Sequence, residues 1–477
     1  MQDSTHSRPQ AARRPAWQAT VLTAAAYAAL AVLFLGSSSR WTWQIDSRHD
    51  RLSLGAGFDS LADHLLHAQA LVDPHYLRGE AIQTPRGVVM YFGIFPALLR
   101  VFADALWPSM WGRWTTISTV AACLIAVGGL ARGARIALAA NPGLTARHRA
   151  VLRWVWFCAL GLGSPVLHLV GAPNIYFESI AWGFAGSMVA LSFLAGALLA
   201  GDLRPRTLFG LAAGACVATL ARPTYGGPLW LVAALALVIA LRRRPAAHPW
   251  RVVLAVAAPF VLTLAVQGWY NAARWGSPTV FLDLTGYAQR DRWAFVLEQG
   301  QWNVHRLTTG FYNYFTVSNG QFVARPPFVR LVLPEYRDAA YSPEFRQGIL
   351  SVPVSAPLLL PAAAAGIVLA MTRRSGRLVP LAATALLGSQ VVLICGFYHL
   401  AHRYTLEIYP TLVFASLCFL ALVPAAWLSR ATAVVGVVLL ALSVSVNALA
   451  QVYWLVHVSP QTPPALRESL QRAFPGE

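Results

Sequence analysis

The feature that most constrains this chain is a series of about eleven mostly apolar stretches, each near the ~20 residues an α-helix needs to cross a bilayer's hydrocarbon core. Backbone inside lipid must satisfy its own hydrogen bonds, and a helix does so within one segment. The stretches cover residues 16–36, 113–134, 152–170, 177–200, 206–221, 225–241, 251–271, 352–371, 378–398, 408–427 and 431–455. Composition agrees. Hydrophobic residues make up 57% of the chain and charged residues 12%, against ~25% charged in a soluble domain. Mean hydropathy is +0.52. A cytosolic enzyme, a disordered chain and a disulfide-stapled secreted scaffold are excluded. The expected architecture is an all-α integral membrane protein with about 11 transmembrane helices (roughly 10–13), forming a single polytopic domain over residues 1–477.

The formal charge is +18, and no lysine occurs, so all 37 basic residues are arginine. Their placement carries more information than their total. With the N-terminus inside, the short cytoplasmic segments hold Arg8, Arg13, Arg14, Arg132, Arg135, Arg147, Arg149, Arg153, Arg204, Arg206, Arg242–Arg244, Arg251, Arg373, Arg374, Arg377 and Arg430, with only Asp3 and Asp202 as acids. The remaining acids fall on the other side, so the arginine bias predicts an N-in, C-out topology. The first run exceeds the ~7–15 residues of a signal-peptide core and lacks a clear cleavage site, which predicts an uncleaved anchor. Cys123, Cys158, Cys216, Cys395 and Cys418 lie in or beside apolar runs without paired spacing and read as small hydrophobic residues.

Two long outer segments follow, 37–112 and 272–351, with a short outer tail at 456–477. Met90–Trp107 is apolar enough to span but carries Arg100 and Asp104 four residues apart, so it is expected to lie in the outer interface as an amphipathic helix. Residues 292–315 mix aromatics and charges like a second surface-lying helix. The cytoplasmic connections are too short for a nucleotide-binding domain, and the chain has no P-loop, no GxGxxG between strand and helix, and no internal repeat. An activated substrate would therefore arrive in the lipid phase.

Candidate chemistry collects at outer span ends. In GFDSLADHLLHAQ, helical spacing puts Asp59, Asp63 and His67 on one face. A partly dehydrated carboxylate beside another can serve as a general base; a solvated polar face, or a metal site using Asp63, His64 and His67, fits the same spacing. Glu178, Arg222, Tyr270, Asn271, Arg274, His399, His402, Arg403, Tyr404 and Glu407 complete the set. Arginine suits a phosphate at the lipid boundary because its planar fork matches phosphate oxygens and its charge is permanent. Each arginine alone fits an interfacial side chain on lipid headgroups, except Arg222, which sits in a very short loop before proline, whereas their gathering on one face marks a functional site.

In order along the chain, FDSLADHLL, YFGIFPALLR, the ARP at Arg222, YNAARWGSP leading to Gly286 and Tyr287, and HRYTLEIYP resemble the GT-C superfamily of polytopic glycosyltransferases. The similarity is greatest to bacterial relatives of the dolichyl-phosphate-mannose–protein mannosyltransferases. The resemblance implies inverting transfer of a hexosyl or pentosyl group from a polyprenyl-phosphate donor to a glycan, lipid or protein acceptor. The reaction would take place on the extracytoplasmic face of a bacterial plasma membrane, in building the cell envelope. It implies an aspartate base in the first outer loop, which maps onto Asp59 or Asp63. The Asp-Asp or Asp-Glu pair of relatives is missing, because Ser60 follows Asp59, and so is the long soluble C-terminal domain of some relatives. In this scheme the arginines hold the departing phosphate, and Tyr91, Trp182 and Tyr287 offer stacking platforms for sugar. No cofactor is required, a divalent cation can be accommodated, and no nucleic acid is expected as a partner. Two other readings share these features: a transporter or flippase of a lipid-linked glycan, and a glycan polymerase or ligase using a lipid-diphosphate donor.

Overall fold

A computed structural model of the chain describes residues 16–39, 43, 54–243, 248–287, 294–317, 321–335, 347–372, 378–459, 462 and 464–473. The basic segments 1–15, 244–247 and 373–377, which carry part of the topology expectation, lie outside the described residues. The fold is helical. In chain order the helices are α1 (Ala16–Ser38), α2 (Ala56–Leu65), α3 (Phe95–Leu106), α4 (Trp114–Ala139), α5 (Ala146–Gly161), α6 (Val166–Gly171), α7 (Ile175–Leu198), α8 (Pro205–Ala221), α9 (Pro223–Arg243), α10 (Pro249–Trp275), α11 (Ala294–Gln299), α12 (Leu307–Phe315), α13 (Leu359–Thr372), α14 (Leu378–Cys395), α15 (Thr405–Leu422), α16 (Arg430–Tyr453) and α17 (Pro464–Ala473). The strands β1 (Ile82–Thr84) and β2 (Gly87–Val89) form one antiparallel hairpin, Ile82 opposite Val89.

Eight of the described helices are long and apolar enough to cross a membrane: Val21–Ser38, Trp114–Ala139, Ile175–Leu198, Pro223–Arg243, Pro249–Trp275, Leu378–Cys395, His402–Leu422 and Arg430–Val458. This chain is a multi-pass membrane protein. The count differs from the eleven runs for identifiable reasons. Pro205–Ala221 and Leu359–Thr372 are apolar but shorter. The run 152–170 is not one helix, because α5 ends at Gly161 and α6 begins at Val166. Pro165 brings no N–H and disfavours helical geometry at Ser164. The run 352–371 likewise divides into Val352–Ser355 and α13, on either side of Pro357.

Helix α7 sits at the centre, packed against α4, α8, α9 and α15. Gly186 and Gly214 permit the α7–α8 contact: a Cβ on either would meet backbone of the other helix at 2.6–2.9 Å. Small residues that allow such backbone approach are characteristic of helix pairs in lipid. Outward faces are apolar; Phe260, Val261, Leu262 and Leu264 of α10 are all exposed, as expected where the surroundings are hydrocarbon.

Met90–Trp107 is not one helix of spanning length. Its helical part, α3, has 12 residues, a rise of ~18 Å. Arg100 faces inward, while Phe102, Leu106 and Trp107 are exposed. The second expected surface helix is interrupted: α11 ends at Gln299, Gly300 adopts φ 77°, and α12 starts at Leu307.

Candidate active site

Four helix ends and the β-hairpin segment converge on one cavity of about 350 Å³. Its positive charge comes from Arg222, Arg274 and Arg403, and Glu80 is the single carboxylate among the described lining residues.

Arg222 leaves α8 in extended conformation (φ −160°, ψ 106°) because Pro223 follows it and disfavours a helical residue in front. Its Nε donates to Glu407, which is fully buried in the first turn of α15, and Thr224 Oγ1 donates to the other carboxylate oxygen. Its guanidinium lies 4.8 Å from the Tyr404 ring centre. Arg274 occupies the last turn of α10, which Gly276 closes with a left-handed residue (φ 78°). Its Nη1 donates to Met90 O (2.9 Å), its Nη2 to Asn271 Oδ1 (2.9 Å), and it stacks 3.7 Å from the Tyr270 ring centre. Arg403, in the turn before α15, donates to Gln347 Oε1 and lies over the rings of Tyr176 and Tyr404. Among the described residues, neither Arg274 nor Arg403 has a carboxylate within ion-pair distance. The cavity thus holds three guanidinium groups against the carboxylates of Glu80 and Glu407, an excess that favours an anion.

The segment between α1 and α4 is tied to this wall at its middle. Tyr270 Oη donates to Phe92 O (3.1 Å), and Gly93 lies against the carbonyls of Leu220 and Ala221, where a Cβ would collide. Residues 90–93 are thereby held between Arg222 and Arg274.

Among the residues singled out by sequence, Arg222, Arg274, Arg403, Tyr404, His399, Tyr91 and Tyr287 line the cavity. Tyr270, Asn271 and Glu407 stand behind it as partners of the arginines. His402 turns away; its Nδ1 accepts from Leu350 N–H and its ring packs on His168. Trp182 donates to Ser118 Oγ and does not line the cavity. His399 is held neutral, its pKa well below the usual histidine range through burial and the charges of Arg403 and Arg222.

Asp59 and Asp63 do not line it. Asp59 is fully buried, with Oδ2 3.6 Å from Arg100 Nε and Oδ1 accepting from Gly112 N–H (3.1 Å). Arg100 pairs at 2.6 Å with Glu178, also fully buried, so Glu178 serves this cluster and not the cavity. Asp63 is exposed and accepts from Trp111 Nε1 (3.1 Å). His67 lies beyond the end of α2, so the expected three-residue face is cut short. Among the described residues no group of three or more His, Cys, Asp or Glu side chains could hold a metal ion, so Asp63, His64 and His67 do not assemble one.

Burial pushes the Asp59 carboxyl up to about 7; Arg100 and the Gly112 N–H oppose the shift, while Asp104 and Glu178 add to it. An unfolded aspartate titrates near 3.9. Below about pH 4 both states are protonated; between about pH 4 and about pH 7 the folded state keeps a proton that the unfolded state has lost. Asp59 therefore costs stability progressively as pH rises through that window, and the cost is constant above it. Thermal unfolding of the detergent-solubilised protein isolates this contribution as a difference: the buried neutral His399 pulls the other way in both proteins, and wild type should lose stability relative to Asp59→Asn as pH rises through the window; an equal slope in both proteins contradicts the assignment.

Glu80, Tyr176, Gln267, Gln301 and Gln347 also line the cavity and were not among the residues singled out by sequence. For Glu80 a signal existed: Gly79-Glu80 stands directly before a hairpin whose strands are joined by Pro85-Arg86, so an acid is fixed to a rigid element.

Fold and site define a helical multi-pass membrane protein with an arginine-lined cavity at one end of its bundle. No protein-family model matches the chain, and neither does a curated protein. Two solved structures are similar to it. The apo oligosaccharyltransferase of Archaeoglobus fulgidus is 13% identical, with a TM-score of 0.44 over 94% of this chain and 59% of that one. The oligosaccharyltransferase AglB of the same organism, in complex with an inhibitory peptide and a dolichol-phosphate, is 13% identical, with a TM-score of 0.41 over 93% and 59%. The chain thus spans less than two thirds of the length of either.

Proposed function

We propose that this protein is a membrane glycosyltransferase of the GT-C type that moves a sugar from a polyprenyl-phosphate donor to an acceptor outside the cytoplasm. The observation that carries this reading is the convergence of Arg222, Arg274 and Arg403 on one cavity at the ends of apolar helices. A volume of about 350 Å³ lies in the range of small-molecule sites. Tyrosines 91, 176, 287, 398 and 404 add ring faces and hydroxyls suited to a sugar. During transfer the departing lipid phosphate gains charge, and preorganised guanidinium groups in a water-poor site stabilise it. The acceptor is a glycan, lipid or protein, and the arginine bias of the short loops supports an extracytoplasmic site.

The test is binding of undecaprenyl monophosphate, with undecaprenol as the phosphate-free control, to the full chain in lipid nanodiscs. The phosphate-bearing lipid should bind tightly and the alcohol weakly. Arg403→Ala should lower affinity for the phosphate at least about tenfold, the value of a charge-assisted hydrogen bond. Equal binding of the two lipids overturns the reading. Bound donor carried across the bilayer without chemical change replaces it with transport.

A further inference from the structure

We infer that Glu80 is the carboxylate that takes the acceptor's proton during transfer, an inference that rests on the reading of the cavity as a site for a polyprenyl-phosphoryl sugar. A sugar or protein hydroxyl is a poor nucleophile, so a base must stand in the same space as the donor's phosphate. Among the described lining residues Glu80 alone carries a carboxylate. Asp59 is fully buried against Arg100, one face of a separate cluster, and Asp63 is exposed on the same helix. His399 lines the cavity too, but burial, with the charges of Arg403 and Arg222, disfavours a further positive charge on it.

Glu80 is also held in place. Tyr287 Oη donates to its Oε2 at 2.7 Å and Tyr91 Oη donates to the same oxygen at 3.2 Å. Tyr176 hydrogen-bonds the same side chain, and because a carboxylate offers about four lone-pair sites, three tyrosines still leave it room to accept a proton. Glu80 ends the short turn Arg78–Glu80 that leads into β1. β1 is in turn fixed to the Tyr287 segment: Gln83 N–H donates to Gly286 O (2.8 Å), and Ile82 bridges Tyr287. Gly286 has no side chain to obstruct this, and a Cβ there would collide with Gln83 O. The acid and the tyrosine that orients it are therefore positioned by one backbone contact, the kind of rigid support a reacting group needs.

In the step itself the acceptor oxygen forms a bond to the sugar's anomeric carbon. The bond from that carbon to the phosphate oxygen breaks, and its electron pair stays on the phosphate, facing the arginines. The hydroxyl proton passes to Glu80, which later releases it to water. The products are glycosylated acceptor and polyprenyl monophosphate.

The test compares cells of the source organism carrying wild-type protein, a deletion, Glu80→Gln or Glu80→Asp, each variant checked for wild-type abundance in membranes. Extracted lipids are analysed by mass spectrometry for polyprenyl-phosphoryl sugars. The deletion should accumulate one such lipid. Glu80→Gln should accumulate it to the same level, since loss of a general base slows transfer by about 10²–10⁴-fold, and Glu80→Asp should accumulate less. Purified Glu80→Gln in nanodiscs should bind undecaprenyl monophosphate within about threefold of wild type, which separates lost chemistry from a damaged cavity. A wild-type lipid pool in Glu80→Gln cells overturns the assignment alone and leaves the transferase reading standing. Lost lipid-phosphate binding in Glu80→Gln overturns it as well, reducing Glu80 to a structural role. Absence of any accumulating lipid in the deletion overturns the transferase reading and the Glu80 assignment together.

Discussion

Arg100→Leu is expected to destabilise the folded protein by about 3–5 kcal/mol, the usual consequence of removing one partner from a buried ion pair. Arg100 is 1% exposed and stands between Asp59 and Glu178, both fully buried. The surroundings are apolar: Phe58, Leu61, Ala97 and Ile175 belong to the same packed cluster. Without the guanidinium, Glu178 and the ionised fraction of Asp59 share a low-dielectric space with no counter-charge. The expected result is a lowered thermal midpoint in detergent and early protease cleavage within residues 54–113. Adding Asp59→Asn and Glu178→Gln to Arg100→Leu should restore most of the loss, because no orphaned charge remains. A single Arg100→Leu variant that melts with the wild type would remove this cluster as an anchor of the segment between α1 and α4.

The second large effect concerns Arg222. Arg222→Ala leaves Glu407 buried and unpaired, which again costs about 3–5 kcal/mol of stability. It also removes one of three cationic groups from the cavity, and undecaprenyl monophosphate affinity should fall about 10–100-fold. The two consequences separate in a double variant. Arg222→Ala with Glu407→Gln should recover stability while lipid-phosphate binding stays weak, a non-additivity that a mutant cycle reads directly. Arg222→Lys should bind poorly as well, because an ammonium cannot reproduce the planar fork. Recovery of full binding in the double variant would assign Arg222 to scaffolding alone.

Much of the architecture was legible because apolar length is a local property. Each of the eight long helices overlaps one of the apolar runs, and the inward Arg100 and outward Phe102, Leu106 and Trp107 follow from the amphipathic spacing of Met90–Trp107. Interruptions were less legible. The run 152–170 is continuous in hydropathy, and only Pro165 marks the break that separates α5 from α6. The site divided in the same way. Arg222, Arg274 and Arg403 stand at helix ends that apolar patterning brings to one level, and all three line the cavity. The environment of Asp59 depends instead on Arg100 and Glu178, which lie in other helices and reach it only through tertiary packing. Spacing within one helix places Asp59 and Asp63 on a common face, but it does not say which side of that helix is covered. Glu80 stands in no cluster of acids, so patterning gave it no weight; its place follows from the bridge between β1 and Tyr287.

Phe281 lines the cavity and is 51% exposed, while Arg274, another lining residue, ends α10, whose outer face is apolar along Phe260, Val261, Leu262 and Leu264. On the proposed reading of this chamber as a polyprenyl-phosphate site, a ligand with a long hydrocarbon tail meets it from within a leaflet, where what counts is molecules per unit of membrane area. Occupancy will follow mole fraction among the lipids and will be nearly indifferent to the volume of the surrounding buffer. The potency of any compound aimed at the three arginines will then rank by how strongly it partitions into hydrocarbon before it ranks by how well its head group fits.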